Sequence, residues 1–174
     1  MLTEAITYRG TIYPWQCDHM GHMNVMWYVG KFDEASWQML SMLGMTQSRM
    51  RAERAAMVAV EQRLEYKREL HAGDVITIRT SVIEVKDKAL RLRHEMWHDE
   101  TGELAAATEM VGVHLDARTR KARRLPGDVR ARASQGLKSG VKNGKICPDE
   151  TTPLVSSNGN GGGMHHRLSV VTSK

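Results

Sequence analysis

The chain has 174 residues, enough for one domain with a real core and too few for two comfortable ones. Its net charge of +5 is unevenly spread: residues 1–115 hold 13 Lys/Arg against 16 Asp/Glu, and the positive excess begins only after them, which argues against a general nucleic-acid surface. No segment approaches bilayer length, Cys17 and Cys147 offer no disulfide scaffold, and the N-terminus lacks a charged-then-apolar leader, so a cytoplasmic protein without a membrane span is expected.

Residues 4–15 space Ile6, Tyr8, Ile12, Tyr13 and Trp15 between polar residues, which predicts a first strand with Pro14 at its edge or end. From Asn24 to Leu43 the period changes. Val29, Phe32, Ala35, Ser36, Met39, Leu40 and Leu43 recur at three- and four-residue steps, the stripe of a helix buried on one face. Asn24 is its expected N-cap, and Gly44 stands where a left-handed residue ends a helix. At about 1.5 Å per residue such a helix is roughly 30 Å long, the central element of a small domain.

A basic connection, Arg49 to Arg54, leads to a strand over 57–70, with Val58, Val60, Leu64, Tyr66 and Leu70 on one face and charged residues on the other. Turns at 71–74, 86–88 and 99–102 then separate strands over 75–85, 89–98 and 103–115. These turns are too short for parallel crossovers. The expected architecture is α+β, an antiparallel β-sheet wrapped around one long α-helix, within a domain of residues 1–133. Gly127 to Ser134 suits a short polar helix. The low-complexity composition of residues 134–174 predicts a disordered tail.

The chemistry concentrates in Asp18-His19-Met20-Gly21-His22-Met23-Asn24, followed by Tyr28. A loop carboxylate stands just before a helix start, whose backbone N–H groups lack intrahelical partners. That pairing suits attack on a carbonyl: the carboxylate attacks or activates water, and the donors hold the oxygen that becomes negative. Most loop aspartates are merely solvated or close an Asx-turn, and Asp18 fits that plainer role too. Gly21 permits close backbone approach, and Asn24 caps the helix or orients a water.

Several neighbours invite other readings. His19 and His22 beside Asp18, and His94, His98 and His114 on strands, suggest a metal. Their scatter and the lack of cysteine pairs argue against it, so no metal ligand is expected. Cys17 precedes a carboxylate, which makes it a poor nucleophile. Met20, Met23 and Met26 with Trp27 either fill the core or line an adaptable apolar acyl pocket. Of the basic residues, Arg118 and Arg120 after the last strand, or Arg91 and Arg93 with Lys86 and Lys88, are candidates to hold phosphates.

Residues 5–126, and most specifically Asp-x-x-Gly-His-x-Asn-x-x-x-Tyr from Asp18 to Tyr28, resemble the hotdog-fold acyl-CoA thioesterases of the 4-hydroxybenzoyl-CoA thioesterase family. The resemblance implies a hotdog fold and thioester hydrolysis without a cofactor, coenzyme A arriving as part of the substrate. It places the nucleophile or general base on Asp18 and the oxyanion-holding N–H at or near Val25, where some relatives carry His or Asn. His22 and Asn24 match the Gly-His-x-Asn subgroup. The resemblance further implies a homodimer or homotetramer with sheets joined edge to edge. Two other readings stay open: a hotdog dehydratase or hydratase using Asp18 with His22, and a non-catalytic acyl-CoA-binding domain.

Overall fold

The computed structural model describes residues 4–140 and 167–170. Its elements are β1 (Ala5–Thr11), α1 (Val25–Met42), α2 (Gln47–Ala52), β2 (Ala55–Tyr66), β3 (Val75–Val85), β4 (Ala89–His98), β5 (Leu104–Asp116), α3 (Gly127–Gly140) and β6 (Arg167–Val170). The sheet is antiparallel, in the order β1-β3-β4-β5-β2-β6, and its first five strands carry α1 on one face, as the hotdog arrangement requires.

Helix α1 follows the sequence closely. Asn24 caps it by accepting a hydrogen bond from the Met26 N–H at 3.1 Å. Gly44, at φ +89°, ends it in the left-handed region that a side chain would strain. Of the predicted stripe, Phe32, Ala35, Ser36, Met39, Leu40 and Leu43 are buried, whereas Val29 is exposed. Phe32 and Ala35 pack with Ile76, Ile78 and Met96 near the helix start. Met39, Leu40 and Leu43 pack with Leu90, Leu92 and Val129 near its end.

Four local features differ from the pattern read in the sequence. β1 stops at Thr11, and a 3₁₀ turn over Pro14–Gln16 leaves Tyr13 and Trp15 exposed, with their rings stacked at 4.4 Å. β2 begins at Ala55 and contains a bulge between Ala59 and Glu61. The extra residue reverses the alternation: Ala55 and Met57 face the core before it, Leu64 and Tyr66 after it, and Val60 is exposed. The basic connection contains α2, capped by Thr46 and holding Met50 in the core. Finally, α3 runs on to Gly140, and β6 pairs antiparallel with Gln62–Glu65. Both lie partly or wholly in the range expected to be a disordered tail; the rest of that range, Cys147 included, is outside the described residues.

A polar chain crosses the core. Ser36 Oγ donates to the Phe32 carbonyl at 2.8 Å, so it can only accept from His94 Nε2 at 3.1 Å. His94 Nδ1 then accepts from Thr80 Oγ1 at 2.7 Å, and Thr80 accepts from Thr7 at 2.6 Å. The Thr7 proton has the Ile78 carbonyl as a longer alternative at 3.3 Å. His94 is fully buried, and burial pushes its imidazole down to about 4.

Candidate active site

The segment from Cys17 to Asn24 is a tight loop tied down at both ends. Cys17 bridges Met23, the Asp18 N–H donates to the His22 carbonyl at 3.1 Å, and the Met23 N–H to the Leu70 carbonyl at 2.6 Å. Gly21, at φ +86°, makes the turn, and its N–H donates to the Asp18 carbonyl at 3.0 Å. The Asn24 N–H donates to the Gln16 carbonyl at 2.9 Å, seating the helix cap against the 3₁₀ turn.

The Asp18 carboxylate is half-buried and uses both oxygens. Oδ1 accepts from the Met20 N–H at 2.9 Å, and Oδ2 accepts from Asn24 Nδ2 at 3.2 Å. The Met20 N–H first, then Asn24 and the neighbouring His22 and His19, hold Asp18 below the usual carboxylate range. It is therefore ionised at neutral pH. Beyond Asn24, the Val25 N–H opens the first turn of α1 with no hydrogen bond among the described residues, on an exposed residue.

The other expected site residues separate into distinct places. His22 is half-buried, its Nε2 lying 3.8 Å from Glu69 Oε1 rather than on Asp18. Tyr28 sits in the core, edge-on to Tyr66 at 5.1 Å, with its hydroxyl toward the Arg68 carbonyl at 3.5 Å. Burial raises the Tyr28 phenol above its ordinary range. Met23 is buried in the core, while Met20 and Met26 are exposed and Trp27 is half-buried against the core. The three methionines thus do not form one lining.

The basic residues divide by their partners. Arg91 and Arg93 stand on the outer face of the sheet, away from α1. Arg91 pairs with Glu61, Glu84 and Glu109, and Arg93 with Glu95 and Glu109. Alternation along β4 puts Leu90, Leu92 and His94 toward the helix and these arginines opposite, so their charge is spent within the sheet. Arg118 and Arg120 lie on the turn after β5, Arg120 at φ +59°. Arg118 joins Arg51 and Arg54, read in the sequence only as a basic connection, around a cavity of about 580 Å³. No cluster of three His, Cys, Asp or Glu side chains suited to a metal occurs among the described residues. His94 is wired into the core, His98 meets Asp74 at 3.4 Å, and His114 meets the Arg124 carbonyl at 2.8 Å.

An ionised carboxylate clamped beside an open helix N-terminus can supply an oxygen nucleophile, or accept a proton from water, next to donors for a developing oxyanion. A model of the thioesterase-like superfamily matches residues 12–133. The betainyl-CoA thioesterase of Pseudomonas aeruginosa is 22% identical over 126 residues, covering 72% of this chain and 79% of that protein. The L-carnitine dehydrogenase/betainyl-CoA thioesterase of Agrobacterium fabrum is 28% identical over 109 residues, 63% of this chain; the chain spans only 22% of that relative's length. A Staphylococcus aureus protein solved in complex with CoA shares the fold, with a TM-score of 0.74 at 18% identity over 88% of this chain and 97% of that one. With the superfamily match running from the end of β1 through the Asp18 loop and the sheet into α3, the chain belongs to the thioesterase-like superfamily.

Proposed function

We propose that this protein is an acyl-CoA thioesterase, hydrolysing an acyl-CoA thioester to the free acid and coenzyme A. The observation that carries this reading is the Asp18 carboxylate, held ionised by the Met20 N–H and Asn24 beside the unpartnered Val25 N–H. Asp18 attacks the thioester carbonyl or takes a proton from water, and the N–H at or near Val25 receives the carbonyl oxygen as it becomes negative. The leaving group is a thiolate with an ordinary pKa near 8.5, so a strong general acid is less necessary than for an amide. Val25 offers no side-chain donor, which leaves the work to the backbone. Gly21 and Asn24 shape the loop, and His22 supports it from the side of Glu69.

The position of His22 toward Glu69 favours hydrolysis over hydration, which requires an acid and a base placed together on the α and β carbons. The relatives named for betainyl-CoA motivate including that thioester, with aromatic, short, branched and long acyl-CoAs, in a thiol-release screen. Release of thiol from at least one, abolished in Asp18→Asn, is the expected result. Loss of enoyl absorbance from crotonyl-CoA without thiol release favours the hydratase, and binding without turnover favours the non-catalytic domain. The active unit is proposed to be a homodimer or homotetramer. Supporting this, Met26 and Val29 on α1 and Val60 on β2 are exposed apolar side chains, and Ala55–Glu61 of β2 have no strand on their outer edge among the described residues.

A further inference from the structure

The cavity at the far end of α1 has a chemistry unlike that of the Asp18 loop. Its floor is apolar, built from Trp37, Met50 and Met57, and its rim carries Arg51, Arg54 and Arg118. No carboxylate among the described residues lines it. Among the described residues, none of these three guanidinium groups has a hydrogen bond or an ion pair, although Arg49 and Arg123, close by in sequence, are both paired with acids. Three unpaired arginines around one concavity repel one another, so the arrangement favours an anion.

The rim is built, not incidental. The Asp116 carboxylate accepts from the Arg118 N–H at 3.0 Å, the Thr119 N–H at 2.7 Å and the Thr119 hydroxyl at 3.0 Å. These bonds, led by the Thr119 N–H, hold Asp116 below its ordinary range and occupy it with the loop instead of with Arg118. The Ala117 N–H donates to the Arg54 carbonyl at 2.8 Å, which locks the Arg118 turn to the Arg54 turn. Arg54 itself is held at φ +48°. In the floor, Trp37 Nε1 donates to Asp33 Oδ2 at 3.1 Å, fixing an indole that remains 43% exposed.

An exposed, oriented indole beside three free guanidinium groups matches a ligand with one aromatic base and several phosphates. We propose that this groove receives the adenosine bisphosphate end of coenzyme A, the purine stacking on Trp37 and the phosphates meeting Arg51, Arg54 and Arg118. The proposal rests on the acyl-CoA reading above. Trp37 lies twelve residues beyond Val25, about 18 Å along the helix, so the ligand that uses both places must be long and extended, as the pantetheine arm is. The outer-face pair Arg91 and Arg93 takes no part.

The test is calorimetric titration of the full chain with adenosine 3′,5′-bisphosphate, followed by kinetics. Wild type binds it, and the triple variant Arg51→Gln/Arg54→Gln/Arg118→Gln binds at least tenfold more weakly. The variant Arg91→Gln/Arg93→Gln stays within twofold of wild type. Trp37→Leu weakens the bisphosphate and leaves inorganic phosphate unchanged. With acyl-CoA the triple variant raises KM at least tenfold with kcat within threefold, and with the matching acyl-pantetheine it does neither. All three arginines are exposed, and an unchanged melting curve checks that the variant folds. Failure of wild type to bind the bisphosphate, or binding by the triple variant within twofold of wild type, overturns the proposal. Loss of bisphosphate binding in the triple variant, in a protein that hydrolyses no thioester, upholds the groove and sinks the hydrolase reading instead.

Discussion

Asn24 joins the Asp18 carboxylate to the first turn of α1 through one carboxamide: its Nδ2 donates to Asp18 Oδ2 at 3.2 Å while its Oδ1 accepts from the Met26 N–H at 3.1 Å. The two ends of the proposed chemistry, the carboxylate and the helix N-terminus, are therefore held by a single side chain. Asn24→Asp separates its two roles. The cap survives, because a carboxylate oxygen still accepts from Met26, but a donor to Asp18 becomes a second negative charge. The acid limb of the pH–rate profile is expected to move up from its wild-type position below the usual carboxylate range, with thermal stability nearly unchanged. A profile that does not move would show that Asp18 feels nothing from Asn24.

Asp18→Asn preserves size and removes the charge. The expected loss in kcat is at least about a hundredfold, the scale of a missing general base or nucleophile. The melting temperature should hold, since the half-exposed carboxylate bonds only within its own loop, and acyl-CoA binding should survive. His22→Ala should cost less. A fully active Asp18→Asn protein would end the mechanism.

His94 predicts a pH dependence of stability. Its folded value, about 4, lies below the ordinary histidine value near 6.5, so the unfolded chain binds the proton more tightly. The contribution of neutral His94 is complete above about pH 6.5, falls as the pH drops toward 4, and levels off below that, by about 3 kcal/mol in all. Denaturant melts at pH 7 and pH 4.5 should show a larger loss for wild type than for His94→Gln, which has no proton to gain. Equal losses would place the acid sensitivity elsewhere.

Association is tested by sedimentation. A dimer or larger species is expected at micromolar concentration, and Val60→Glu, a charge on the exposed bulge of β2, should shift it toward monomer. Only monomer in the wild type would count heavily against the assembly.

Removing residues 141–174 leaves α3 intact and takes away β6. Hydrolysis is expected to stay within a few-fold of the full chain. A collapse of activity would make the end of the chain part of the catalytic unit.

The elements whose signals are local were legible in the sequence. The α1 stripe, its Asn24 cap and the left-handed Gly44 are each read within one or two turns, and the strand and turn spacing sufficed for the antiparallel sheet. The bulge at Val60 was not, because an inserted residue shows only against the partner strand, and Val58 and Val60 looked like core as a result. Met20 and Met23 in the loop and Met26 on the first turn of α1 could not be sorted by burial from their three-residue spacing. Nor could the arginines be sorted by partner: Arg91 and Arg93 meet acids from β2, β3 and β5, while Arg51, Arg54 and Arg118 converge from segments far apart in the chain.

The chain of hydroxyls and imidazole beneath α1 acts as a register pin. Apolar side chains alone would tolerate a helix displaced along its axis by one turn, about 5.4 Å, with modest repacking. Such a slip would carry Ser36 away from His94 and leave the His94 Nε2–H in the core without its acceptor, at about 1–3 kcal/mol. The helix thus has one permitted seat on the sheet. Because the Asp18 loop feeds directly into its first turn, that seat also sets where the carboxylate stands relative to everything the sheet carries, including any neighbour that docks along its edge.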